Sequence, residues 1–240
     1  MNSDNGDSHI CISVIVPVYN EQTRVTESLG EIKSYLNSKD ESYEIILVDD
    51  GSTDGTLEIA RKIGNGSTRI VSYEHNMGKG YAVRQGVYAA RGEYIAFTDV
   101  DLSAPIDQLS KLFSAIEDSY DVAIGSRAVK GAEIPVHQPL YRELGGKALN
   151  LAIQMLAVPG IKDTQCGFKL FKGDAARKIF SKCFINGWGF DVEVLFLARK
   201  LGYKTAEIPV KWSHMAGSKL HPFRGALRVI ADVIRMRLRG

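Results

Sequence analysis

Asp99 and Asp101 flank Val100 at the end of an apolar run, 94–97, that has the character of a short strand. Residues two apart on a strand share a face, so both carboxylates can reach one hard cation, and a divalent ion with open positions can then hold a diphosphate. The carboxyl ends of strands are where open α/β sheets place their ligands. Ser103, two residues on, can add a hydroxyl oxygen to the same shell. Other residues supply what a nucleotide-sugar donor asks of a protein. Pro17 and Tyr19 can wall a base, and Asp49 or Asp50 can accept from an N–H of uracil or guanine. Lys79, Arg84 and Arg127 can meet phosphate oxygens, the ammonium as a point charge and the guanidinium through paired donors. Residues 50–54, Asp-Gly-Ser-Thr-Asp, also fit a plain turn with an N-cap, and that alternative stays open here.

The elements that must position these groups follow from periodicity. Residues 12–16, rich in β-branched side chains and closed by Pro17, predict a buried parallel strand, followed by a loop and a helix over about 23–36. Residues 44–48 predict a second strand that ends in the acidic turn, and 56–63 a helix. A strand at 70–73, a loop at 78–80 and a helix over 81–90 then deliver the chain to the strand before Asp99. Further strands are predicted at 122–125 and 207–212, helices over 141–156 and 192–201, and a turn feeding a strand over 164–171. This alternation defines an α/β class: one domain, with a Rossmann-like, mostly parallel sheet and helices on both faces. At about 100° per residue, Arg224, Arg228, Arg235 and Arg239 fall within about 60° of one another, and Leu227, Ile230, Ile234 and Leu238 gather on a separate stripe. The result is a basic amphipathic C-terminal helix over 221–240. Such a helix can lie on an anionic lipid surface, each Arg contributing about 1 kcal/mol, or dock on the core with its arginines solvated.

Composition removes several function classes. A chain of 240 residues with 45% hydrophobic content can bury the core of one large domain. A net charge of +2 is too mild to argue for a nucleic-acid partner. Three cysteines, Cys11, Cys166 and Cys183, lack the spacing of a disulfide framework or a structural zinc site and fit a reducing, cytoplasmic setting. Residues 1–11 read as a disordered tail, and no window reaches the ~18 uninterrupted apolar residues of a membrane span.

Five segments carry a resemblance: 12–21 (Ile-Ser-Val-Ile-Val-Pro-Val-Tyr-Asn-Glu), 48–55 (Val-Asp-Asp-Gly-Ser-Thr-Asp-Gly), 76–80 (Asn-Met-Gly-Lys-Gly), 99–101 and Gly125-Ser126-Arg127. Together they resemble the family 2 glycosyltransferases of GT-A fold. Residues 163–171, the stretch Trp188-Gly189-Phe190-Asp191-Val192-Glu193, and Trp212 with 217–220 are similar to the dolichyl-phosphate β-glucosyltransferases and their prokaryotic polyprenyl-phosphate relatives. The resemblance implies inverting transfer of a hexose, glucose from UDP-glucose, to a polyprenyl or dolichyl phosphate, with Mg²⁺ or Mn²⁺, at the cytosolic face of a membrane that the protein contacts peripherally. A GDP-mannose donor and a saccharide acceptor are the alternatives. It also implies a nucleotide-binding half over 12–127 and an acceptor half over 128–220. Carried over by position, Pro17, Tyr19, Glu21, Asp49 or Asp50, Lys79, Arg84 and Asp99 bind the nucleotide, and Asp99 and Asp101, with Ser103, hold the metal. Arg127 and Lys219 steady phosphates, while Asp163 and Asp191 lie near the reacting carbon, Asp191 with an N-cap role as its alternative. Ser103 stands where mannosyl relatives often have Gln as a metal ligand; the eukaryotic glucosyl enzymes also carry an N-terminal membrane anchor, not expected here, and an acid where His214 stands, and these departures point to a prokaryotic relative.

Overall fold

Parallel strands need a helix to carry the chain back across one face, so strand and helix alternate wherever apolar runs are separated by amphipathic ones. The computed structural model describes residues 10–64, 66–215 and 222–239, with side chains from 225 onward in the last stretch. The elements run β1 (Ile12–Val18), α1 (Val25–Asn37), β2 (Tyr43–Asp49), α2 (Thr56–Ile63), β3 (Thr68–Ser72), α3 (Lys79–Ala89), β4 (Tyr94–Phe97), α4 (Leu109–Glu117) and β5 (Val122–Ser126). They continue with β6 (Glu133–Val136), α5 (Leu140–Leu156), β7 (Lys169–Lys172), α6 (Gly173–Phe180), α7 (Phe190–Lys200), β8 (Thr205–Pro209), β9 (Lys211–Ser213) and α8 (Pro222–Arg239). Seven strands form the main sheet in the order β3-β2-β1-β4-β7-β5-β8, parallel throughout except for β7, which runs against both neighbours.

Both faces of the sheet are covered, which is why its strands read as unbroken apolar runs. Val14, Val16, Leu47 and Ala96 pack on one side against Leu29 and Ile32 of α1, Ala60 of α2 and Leu112 of α4. Ile15, Ile46, Phe97 and Phe171 pack on the other against Val83 of α3, Phe180 of α6, Leu195 of α7 and Val233 of α8. Among these, α2 and β4 coincide with the predicted spans. Residues 78–80 are not a loop: Gly78, at φ +101°, caps the helix that begins at Lys79. The predicted strand over 207–212 is two strands, because Pro209 has no N–H for the ladder and β9 leaves the main sheet to pair with β6. Ile10 and Cys11, assigned to the tail, are tied in, since Glu93 N–H donates to Ile10 O at 3.0 Å and Cys11 N–H to Ser42 O at 3.0 Å.

At the amino end of β2, Glu44 is 2% exposed and accepts from Ser13 Oγ at 2.7 Å, Arg91 N–H at 2.8 Å and Arg69 Nη1 at 3.0 Å. Burial alone would raise its carboxyl, but these donors outweigh it and hold the group below the usual range. The opposite, carboxyl end of the strands is the end left open.

Candidate active site

A cavity of about 420 Å³ lies at that carboxyl end, floored by residues that follow β1, β2, β4 and β5. Tight turns after each strand aim the side chains. After β1, Asn20 sits at φ +53°, donates its N–H to Ser52 Oγ at 2.9 Å and accepts Thr53 N–H on Oδ1 at 2.8 Å. This cross-brace locks the loop holding Tyr19 and Glu21 against the turn after β2. After β4, Leu102 adopts φ +45°, its N–H reaching Asp99 O at 3.1 Å, and Ser103 N–H donates to Asp101 Oδ1 at 3.0 Å. A leucine held in the left-handed region is a strained residue, and it closes the turn that carries both carboxylates, each of which lines the cavity.

The predicted residues separate into two groups. Pro17, Tyr19, Glu21, Asp50, Lys79, Asp99, Asp101, Ser103 and Arg127 all line the cavity. Of the alternatives Asp49 and Asp50, the cavity holds Asp50, but its oxygens are occupied by Asn76 Nδ2 at 2.8 Å, Met77 N–H at 2.8 Å and Gly78 N–H at 3.0 Å. It shapes the 76–78 loop. Asp49 is 1% exposed and does not line the cavity, its Oδ2 accepting from Ser52 N–H at 3.4 Å. Arg84 is displaced from the site altogether. Five residues beyond Lys79 on α3, it points well round the helix and binds Cys183 O at 3.1 Å and Asn186 Oδ1 at 2.8 Å. Lys219 lies outside the described residues. Arg24, Gln165 and Trp188 line the cavity without having been assigned a role from sequence. For Arg24 the available signal was its i, i+3 spacing to Glu21, with which it pairs at 3.0 Å.

Asp163 and Asp191 are buried behind the cavity, each committed to a cation. Asp163 accepts from Arg127 through Nε and Nη2, both at 2.7 Å, and through its backbone N–H at 2.9 Å. Burial alone would raise the Asp163 carboxyl, and the guanidinium brings it below the usual range. Arg127 in turn lies over the Trp212 ring at 5.1 Å, so its plane is fixed from two sides. Asp191 accepts from Lys169 Nζ, which also donates to Cys166 O at 2.5 Å. Burial raises the Asp191 carboxyl despite Lys169 and Lys79 nearby. Its N-cap alternative fails: Gly189 holds the cap position of α7, without a side-chain cap bond. The Cys166 thiol is pushed up to about 12 by burial, which leaves it inert as a nucleophile.

Lys79 is the cation nearest the acidic pair. Its Nζ lies 2.5 Å from Asp99 Oδ1, 5.1 Å from the centre of the Trp188 ring and 5.9 Å from that of Phe190. Burial alone would lower its pKa, but Asp99 and Asp191 hold it above the ordinary value, so the ammonium stays charged. Asp99 is also pressed by Gly167, where a β-carbon would overlap its carboxylate. Gly167→Ala is therefore expected to push Asp99 aside and to lower kcat/KM by roughly a hundredfold, the cost of about 1 Å of misplacement. Circular dichroism should show an unchanged fold; full activity in the variant would mean that Asp99 need not sit where it does.

A divalent cation fits the acidic pair. Asp99 and Asp101 offer hard oxygen donors on one turn, open to a cavity with room for a diphosphate. Among the described residues no group of three or more His, Cys, Asp and Glu comes together, so a cation here would complete its shell with phosphate oxygens and water.

Sheet order and cavity place the chain first in a class, the α/β proteins of GT-A fold. Glucosyl-3-phosphoglycerate synthase from Mycobacterium tuberculosis, solved with Mn²⁺, uridine diphosphate and glucosyl-3-phosphoglycerate, superposes with a TM-score of 0.70 at 21% identity, covering 95% of this chain and 80% of that one. Mannosyl-3-phosphoglycerate synthase from Rubrobacter xylanophilus also gives 0.70, at 19% identity over 96% of this chain and 76% of its own. Sequence narrows the class: the model described as Glycosyl transferase family 2 matches residues 13–180, and the chain belongs to that family. Dolichyl-phosphate beta-glucosyltransferase of Dictyostelium discoideum is 36% identical over 100% of this chain and 77% of its own length, and the Homo sapiens protein of the same name 37% identical over 95% and 75%.

Proposed function

We propose that the protein transfers a hexose, glucose from UDP-glucose, to a polyprenyl or dolichyl phosphate with inversion at the anomeric carbon. The observation that carries this reading is the state of the buried acids. Asp163 and Asp191, the carboxylates expected near the reacting carbon, are each ion-paired and set behind the cavity wall. A sugar hydroxyl as acceptor needs a base to take its proton, whereas a phosphate monoester is already ionised near neutral pH. A phosphate oxygen bonds to the anomeric carbon, the bond from that carbon to the β-phosphate oxygen breaks, and the nucleoside diphosphate leaves with the electron pair. No proton has to move. The relatives named dolichyl-phosphate beta-glucosyltransferase, at 36–37% identity, favour glucose and a lipid phosphate over mannose or a saccharide.

The chain's own residues would act by alignment and charge. Pro17 and Tyr19 wall the base, and Asp50 holds the loop that delivers Lys79. Arg127, clamped by Asp163 along its Nε and Nη2 edge, presents its remaining edge to a phosphate. Asp99 and Asp101 would hold Mg²⁺ or Mn²⁺, which when bound offsets negative charge on the departing diphosphate. Residues 12–127 read the donor in this assignment and 128–220 the acceptor. Among the described residues no helix is long and apolar enough to cross a membrane. The protein would meet its lipid substrate peripherally, from the cytosolic side. A panel of labelled UDP- and GDP-sugars with a short-chain polyprenyl phosphate, scored by label entering the organic phase, tests the reading. UDP-glucose should give the strongest transfer; a GDP-mannose signal above it, or label reaching only saccharides, would reject it.

A further inference from the structure

Two neighbouring helices turn large apolar side chains outward. At about 100° per residue, Leu140, Leu144, Leu151 and Met155 of α5 fall within about 60° of one another, with Tyr141 beside them. All five are exposed, from 57% for Leu144 to 73% for Met155. The inward face of α5 is carried by Ile153, its one buried residue, and by Asn150, which donates to Lys162 O at 2.6 Å and accepts Thr164 N–H at 3.2 Å. The helix is thus amphipathic in reverse, with its most apolar stripe away from the core. Beside it, α8 docks through Val229, Val233 and Met236 and leaves Leu227, Ile234 and Leu238 exposed at 58%, 50% and 83%. The sequence offered α8 either a lipid surface or the core; its two apolar stripes allow both.

Charge indicates what covers these stripes. Exposed Arg228 and Arg235 lie along one edge of the outward stripe of α8, and exposed Lys147 borders that of α5. Outward apolar side chains rimmed by cations are the pattern of helices lying among anionic headgroups. A second copy of the chain would bring like charges together at the rim.

We propose that α5 and α8 together seat the protein on an anionic bilayer, with the stripe of α5 entering the headgroup region alongside that of α8. The choice of a bilayer as occupant rests on the lipid-phosphate reading above. The seat connects to the site, because Asn150 on the inward side of α5 holds Thr164, the neighbour of the Asp163 that clamps Arg127. The test is flotation with phosphatidylcholine vesicles with and without phosphatidylglycerol. The wild type should float with the anionic vesicles, and the Leu144→Asp/Leu151→Asp variant should lose roughly tenfold of the bound fraction. In a second measurement, Leu151→Trp should be quenched by brominated acyl chains. Equal flotation of wild type and variant, or an unquenched tryptophan, would overturn the proposal, as would a wild-type dimer in lipid-free buffer that the double variant dissolves. Transfer to a water-soluble short-chain polyprenyl phosphate without vesicles should be equal in wild type and double variant. Intact flotation in a wild type that makes no such transfer would sink the acceptor reading and leave the seat standing.

Discussion

Asp101→Ala is expected to lower transfer by roughly a thousandfold, about 4 kcal/mol of transition-state stabilisation, while the melting temperature stays within a few degrees of wild type. The carboxylate is partly exposed, and the bond visible on it is the Ser103 amide at 3.0 Å, so its removal leaves no buried group without a partner. Asp99→Ala should cost as much activity, with a somewhat larger effect on stability because Lys79 loses its 2.5 Å partner. Single-turnover assays across a Mn²⁺ titration are the check. Full activity of the wild type in excess chelator would show that these acids do not act through a cation.

Asp163→Asn is the second large effect, and it strikes stability first. The substitution keeps the shape but leaves the partly buried Arg127 guanidinium without its counter-charge, a loss of about 2–3 kcal/mol, or roughly 8 °C in Tm. Acid titration then identifies the cause. The Asp163 carboxyl is held below its unfolded value, near ~3.9, so its contribution is complete above that pH and disappears as the pH falls through the lower folded value. The stability gap between wild type and variant should therefore close in strong acid. A gap that stays constant from neutral pH down would assign the loss to packing instead. Transfer should also fall, since Arg127 would lose the clamp that sets its plane.

The first half of the chain was the more legible. Strands buried on both faces must be apolar throughout, and their ends must carry the turns that make a site, so β1, β2 and β4 and their acidic ends could be placed from local pattern. What sequence could not supply was partnership. Asp163 meets Arg127 across 36 residues and Asp191 meets Lys169 across 22, so local pattern could set both acids near the reacting carbon, with an N-cap alternative for Asp191, but could not show that each is held by a cation. Arg84 misled for a simpler reason: a basic residue on a helix near the site counts only if it lies on the face that looks into it, and five residues of rotation carried it away. Trp188 was visible within a motif but had no assigned work, because its contact with Lys79 depends on the turn before α7 reaching the start of α3, more than a hundred residues away in sequence.

The reversed strand has an evolutionary corollary. Because β7 runs opposite to β4 and β5, Lys169 at its start lies level with Phe97 at the end of β4 and with Ile124 midway along β5, so the stretch just before β7, with Gly167 and Cys166, arrives directly at the mouth of the pocket. A forward strand would have had to reach the mouth from its far end. The part of this connection upstream of the Asp163 clamp and of Gly167 is the part free to change in length while the nucleotide platform keeps its dimensions, which would offer one scaffold a way to swap recipients without redesigning how it grips the sugar carrier.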